Sequence, residues 1–248
     1  MSGPPPPTRR RPFVRLILFC GTLLALVLLG GHFLSETKLS AKAITVKGFA
    51  ERQIKSDFAI WSVRLTVRST LLPSAYAKME KDLAKVLLSL KEKGVGMEFI
   101  QVSSVTLNVK YSRSDRGFET NTVESYELCQ TVEIRTPDVA LVDRLSREIT
   151  ALIKDGVELT SQPPGFYYTK LEGLKVAMLG EAAQDARLRA ETIAEKSGAR
   201  AGKLLSAQQG VFQITPVYSS ESSGEGMFDT SSVEKTIRAI LTATYSLK

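Results

Sequence analysis

The stretch from Leu16 to Leu34, LILFCGTLLALVLLGGHFL, carries no charged residue over its 19 positions. A helix of that length nearly spans the ~30 Å hydrocarbon core of a bilayer. It has no polar face, which a core helix of a soluble domain would normally show. Arg9, Arg10, Arg11 and Arg15 lie ahead of it with no acidic residue among them. Because positive charge resists translocation, the pattern predicts a single-pass membrane anchor. Residues 1–15 then form a cytoplasmic Pro/Arg-rich arm, and everything beyond the anchor crosses to the non-cytoplasmic side. The competing reading is a cleaved signal peptide ending at Ala41-Lys42-Ala43, a small-x-small pattern. The apolar run is longer than the roughly 7–15 residues of a signal peptide's apolar region, and SETKLS sets it apart from that site. The retained anchor is therefore the expectation, and both readings export the remainder.

The formal charge is +7, of which four charges are the N-terminal arginines, leaving +3 beyond Arg15. An ordinary mixed surface follows, with no nucleic-acid groove. Cys20 lies inside the apolar stretch and Cys129 is the only cysteine after it, so no disulfide forms within the exported part. Cys129 reads as a quiet thiol on a strand, although an unpaired cysteine outside the cytoplasm could also bridge two subunits.

After a linker over residues 35–43, residues 44–248 read as one α+β domain. Ile44-Val46-Gly48 alternates with Thr45-Lys47, and Trp61, Val63, Leu65 and Val67 alternate with polar neighbours, predicting two strands with one wet face each. Pro73-Ser74 opens a helix with a stripe of Ala75, Met79, Leu83, Val86, Leu87 and Leu90, ended by Gly94. A hairpin follows, with Val105, Leu107, Val109 and Tyr111 on one strand, Tyr126, Leu128, Val132 and Ile134 on the other, and SRSDRGFETN as its tip. Thr136-Pro137 predicts a capped helix with Val142, Leu145, Ile149 and Leu152 buried, ending at Gly156. A strand from Val157 is interrupted by Pro163-Pro164, which marks an edge or bulge. The longest helix spans Lys170 to Lys196, with Ala182, Ala186, Ala190, Ile193 and Ala194 at helical spacing and Gly198 after it. Strands over Lys203–Tyr218 and Thr236–Leu247 flank a low-complexity, mobile SSESSGEGMFDTSS. The order ββαββαβαββ predicts a largely antiparallel sheet with helices packed on one face.

His32, the only histidine, lies at the end of the apolar stretch. The exported part thus lacks histidine-based nucleophile triads and the commonest transition-metal ligand. Cys129 shares its strand face with Glu127, Thr131 and Glu133, and neighbouring carboxylates work against an activated thiolate. Gly94-Val95-Gly96 follows a helix where a phosphate-cradling loop would precede one. Trp61 and Tyr167-Tyr168 read as core or interface residues. No catalytic, cofactor-binding or metal-ligating residue is assigned. A carboxylate pair assembled in space is the one enzymatic route left open, and the least supported.

Three segments resemble the SIMPL-domain family of periplasmic and membrane-anchored bacterial proteins associated with oxidative-stress defence. They are ITVKGFAERQIKSDFAIWSVRL, EAAQDARLRAETIAEKSGARAGKLLSAQQG and IRAILTATYSL. The resemblance covers about Ala43 to Lys248. It implies an α+β domain in the cell envelope that self-associates, with no enzyme activity and no catalytic motif to transfer, and it places the anchor in the inner (cytoplasmic) membrane with the domain periplasmic. The expected function is a non-enzymatic envelope protein forming a homo-oligomer. The alternative is a periplasmic module that captures a small molecule or peptide in a cleft near Phe166.

Overall fold

The computed structural model describes residues 42–219, 221 and 223–248, together with Gly3. The predicted anchor over residues 16–34, its arm and all but the end of the linker lie outside the described residues. Among the described residues no helix is long and apolar enough to cross a membrane. The chain forms two compact units: residues 49–182 with 209–240, and, of the described residues, 42–48 with 183–208 and 241–248.

In chain order the elements begin with β1 (Ala43–Lys55), β2 (Phe58–Ser69), α1 (Leu72–Glu92), β3 (Ile100–Val102), β4 (Thr106–Arg113) and β5 (Glu119–Thr136). They continue with α2 (Val139–Glu148), β6 (Leu159–Ser161), β7 (Gly165–Tyr167) and α3 (Leu171–Lys196). The last are β8 (Ala201–Gln209), β9 (Gln213–Pro216), β10 (Met227–Phe228) and β11 (Glu234–Leu247). The predicted order stands with additions. The strands form two sheets, not the single one expected. One runs β3-β5-β2-β6, with β4 on β5 and β7 on β2; the other runs β1-β11-β9-β10, with β8 on β11. β9 and β11 run antiparallel, and the short β10–β9 pair is parallel.

The larger unit is built on the long β2–β5 pair, in which Trp61 faces Ile134, Val63 faces Val132 and Val67 faces Leu128. These six lie on one sheet face and are at most 2% exposed. Helix α1 lays Ala75, Met79, Val86 and Leu90 over that face, and α2 adds Val139, Val142 and Leu145 to the same core. Each fully buried side chain of this kind is worth about 1.5–3 kcal/mol. The Trp61 indole N–H donates to Ser161 Oγ at 3.1 Å, and Ser161 Oγ donates to the Ser146 carbonyl at 2.7 Å. The one polar atom of that ring is thereby satisfied without solvent.

Pro73 lies in the first turn of α1, as expected. The cap of α2 falls two residues later than expected: Asp138 Oδ1 accepts from the Leu141 N–H at 2.9 Å. Thr136 instead ends β5, its Oγ1 accepting from the Asp138 N–H. The stretch after α2 tightens into a 3-10 helix over Ile149–Asp155. The three helical stretches are followed by glycines at positive φ, Gly94, Gly156 and Gly198. Pro163-Pro164 splits the predicted strand into β6 and β7, both paired with β2.

In the smaller unit the core is made of Val46, Ala186, Ala190, Ala243 and Tyr245. Along α3 every fourth residue from Leu174 to Ala194 is buried. Ile193, read with that set, is 49% exposed. β8 approaches β11 so closely that a Cβ at Gly202 would collide with Ser246, which gives the glycine at this position its physical reason. The predicted strand over Lys203–Tyr218 is broken into β8 and β9 at Gly210, whose N–H turns to the Ile240 carbonyl at 2.8 Å. The low-complexity segment is partly tied down, since Met227 and Phe228 pair with β9.

Candidate functional site

The sequence assigned no catalytic, cofactor or metal residue, and among the described residues no three His, Cys, Asp or Glu side chains converge as a metal site. Cys129 is half-buried on the polar face of the larger sheet, 4.0 Å from Thr66 Oγ1. Its neighbours on that strand face are engaged: Glu127 accepts from Arg68 Nε at 2.7 Å, and Glu133 accepts from Arg135 Nε at 2.5 Å. A general acid at neutral pH needs a carboxyl pushed upward. Glu127, Asp143, Glu148 and Asp229 all shift the other way. For the first three the main cause is a hydrogen bond from Arg68, Arg147 and Lys93 respectively.

The cleft expected near Phe166 is almost filled. Ile54, Phe166, Tyr168, Ile214 and Phe228 surround a hollow of about 10 Å³, too small for any ligand and barely enough for a water. Beside it lies a pair that strand periodicity alone did not reveal. Lys235 is 2% exposed, and its Nζ donates to the Asp229 carbonyl at 2.7 Å and to Asp229 Oδ2 at 3.3 Å. Burial works to raise the Asp229 carboxyl, but hydrogen bonds from Ser232 and Ser231 and the Lys235 charge outweigh it and hold the group at about 2. Burial pushes the Lys235 ammonium down, partly offset by Asp229. The parity of β11 carried the signal: Lys235 falls on the same alternation as the buried Ile237 and Ala239.

Among the described residues, each unit has an open surface that carries apolar side chains. In the smaller unit a groove of about 530 Å³ runs between β1 and α3, lined by Thr45, Val46, Lys47, Leu188, Thr192 and Ile193 among others. β1 is the terminal strand of its sheet, so among the described residues its outer edge has no partner strand. Leu188 is 63% exposed there. The Asp185 and Arg189 side chains that share the groove pair with each other at 2.7 Å.

In the larger unit, β4 and the first half of β5 form a two-stranded ribbon in which Leu107 faces Leu128, Val109 faces Tyr126 and Tyr111 faces Val123. This is the predicted hairpin, and its apolar residues share the face that α1 and α2 cover further along β5. On the ribbon that face is open: Leu107, Tyr111 and Val123 are each more than 40% exposed, and Phe118 at the tip is 71% exposed. The opposite face is polar, with Glu127 bridging Arg68 and Lys110.

No curated protein matches the chain. The family model described as SIMPL, protein of unknown function (DUF541), matches residues 44–245. That span takes in both sheets and all three helices, including the alanine-lined α3 and the Gly202 crossing on which the resemblance rested. The chain belongs to the SIMPL family.

Proposed function

We propose that the protein is a non-enzymatic envelope component, tethered to the membrane through residues 16–34, whose domain self-associates and supports the envelope, including under oxidative stress. The β4–β5 ribbon carries this reading. A two-stranded ribbon without a covered face is marginal in water, and its exposed apolar stripe marks an interaction site. Lys110, Arg113 and Arg116 are matched near the tip by Asp115, Glu119 and Glu124. Such a balanced set suits a two-fold contact between identical ribbons, where each cation can meet an anion. Confinement in a membrane plane raises the effective concentration of the copies.

Sedimentation of the full chain in detergent at micromolar concentration tests it. An oligomer that dissociates in the Leu107→Lys/Tyr111→Lys double variant is the expected outcome. A strict monomer would sink the assembly reading. The groove beside β1 favours a second reading, a module that binds an extended peptide by adding it to the free strand edge. In that case the unaltered chain is monomeric, and Leu188→Lys abolishes peptide capture.

A further inference from the structure

The smaller unit has a charge pattern that the whole-chain figure hides. Its described residues carry eight Lys and Arg against three acids. Two of the acids are taken by neighbouring arginines, Asp185 by Arg189 and Glu191 by Arg187. Glu195 is the third. Of the six remaining cations, Lys47 lies further along β1 in the groove, and the other five gather at one end of the sheet because the backbone pairing places them there. The Leu247 N–H donates to the Lys42 carbonyl at 2.7 Å, and Arg200 and Lys248 exchange both backbone hydrogen bonds at 2.9 Å. The Lys203 N–H donates to Ser246 Oγ at 3.0 Å. Lys196 ends α3, four residues before Arg200. Lys42, Lys196, Arg200, Lys203 and Lys248 are all exposed, and among the described residues none has a carboxylate in salt-bridge range.

Lys42 is also where the chain arrives from the predicted anchor. Seven residues lie between it and Leu34, and the eight Cα-to-Cα steps span at most about 28 Å when fully extended. The basic end of the smaller unit is therefore tethered within that distance of the end of the predicted anchor. Charges fixed within reach of a surface of opposite sign are drawn to it once inside the Debye length of about 8 Å.

We infer that this end, formed by Lys42, Lys196, Arg200, Lys203 and Lys248, docks on anionic phospholipid headgroups of the membrane that holds the anchor. The inference rests on the anchored reading and adds to it a defined face and a lipid requirement. An acidic protein partner would suit the charge equally well. The short tether favours lipid, because it keeps headgroups within reach at all times and no other surface is so confined.

The test uses the full chain carrying Cys20→Ser, Cys129→Ser and a donor dye on Ser197→Cys, reconstituted in nanodiscs with an acceptor-labelled lipid. Discs of phosphatidylcholine alone are compared with discs containing phosphatidylglycerol. Energy transfer about twofold higher on the anionic discs, abolished by molar salt, is expected from screening of surface charge. Lys196→Glu, Arg200→Glu, Lys203→Glu and Lys248→Glu together should return transfer to the neutral-disc level, with an unchanged melting curve as the check on folding. Equal transfer on both discs overturns the docking while leaving the anchor intact. A rise that salt and charge reversal leave untouched overturns the assignment to these residues. A chain that does not co-elute with discs overturns the anchor and the docking with it.

Discussion

The two units hold themselves together in different ways. The larger has a layer of bulky side chains, Trp61, Leu65, Met79, Leu90 and Ile134, pressed between one sheet face and two helices. The smaller has three alanines among the five buried residues of its core, so it relies on close backbone approach and buries little apolar volume. The charges diverge as well: the larger unit is close to neutral, slightly acidic, while the smaller is strongly basic. In one unit the sequence is spent on packing. The other is thinly packed and presents its chemistry outward. A cut into volume should hurt the first most, and an addition of volume should hurt the second.

The largest effect is expected at the buried pair of the larger unit. Asp229→Ala leaves the Lys235 ammonium buried without its partner, which costs about 3–5 kcal/mol. Replacing both, Asp229→Ala with Lys235→Met, should recover much of that in urea denaturation, since it is the orphaned charge that costs most. The pair also sets an acid limit. Asp229 titrates at about 2 in the folded chain against an ordinary 3.8. Its contribution is complete above about pH 4 and is lost as the pH falls through 2. A denaturation series whose acid-side loss between pH 4 and 2 is the same in Asp229→Asn and the unaltered chain would show that this carboxyl is not the group responsible.

Next come the two cores themselves. Leu65→Ala should cost about 2–5 kcal/mol, the usual range for emptying a filled core site. Ala190→Leu should cost about 1–3 kcal/mol, because added methyl groups must force α3 away from the strands carrying Val46 and Ala243. Thermal melts of both variants decide the matter. If Ala190→Leu melts like the unaltered chain, the alanine stripe is not a tight contact and the contrast between the units collapses.

Much of this contrast was legible in the residues, and the misses share a cause. Periodicity records which side of an element is apolar, and so Trp61 to Val67 and Leu128 to Ile134 were placed on buried faces correctly. It does not record what covers that side. Leu107, Val109 and Tyr111 alternate just as Val63 and Leu65 do, yet among the described residues no helix lies over them. For the same reason β1 and β2 read as two strands without a hint that they enter different sheets. Asp82 and Lys235 fall on apolar stripes by spacing, and both are buried with partners, Lys78 and Asp229. At Thr136-Pro137-Asp138 two capping residues compete, and the structure uses both, one to close β5 and one to open α2.

The smallest effect is expected at Cys129, on the polar face of the larger sheet. Cys129→Ser should move the melting temperature by less than the equivalent of about 0.5 kcal/mol, as for a surface change away from caps and buried pairs. A disulfide between copies needs the two Cα atoms within about 7 Å. The Arg64, Arg68 and Glu127 side chains beside the thiol on this face would hold a second sheet at about the 10 Å of face-to-face packing. A non-reducing gel of the full chain should therefore show a single monomer band, unchanged by reductant. A reducible dimer band that vanishes in Cys129→Ser would place two copies face to face across this polar surface. The apolar ribbon would then lose its claim to be where copies meet, and the larger unit would have to count among its interaction surfaces the face that carries Cys129.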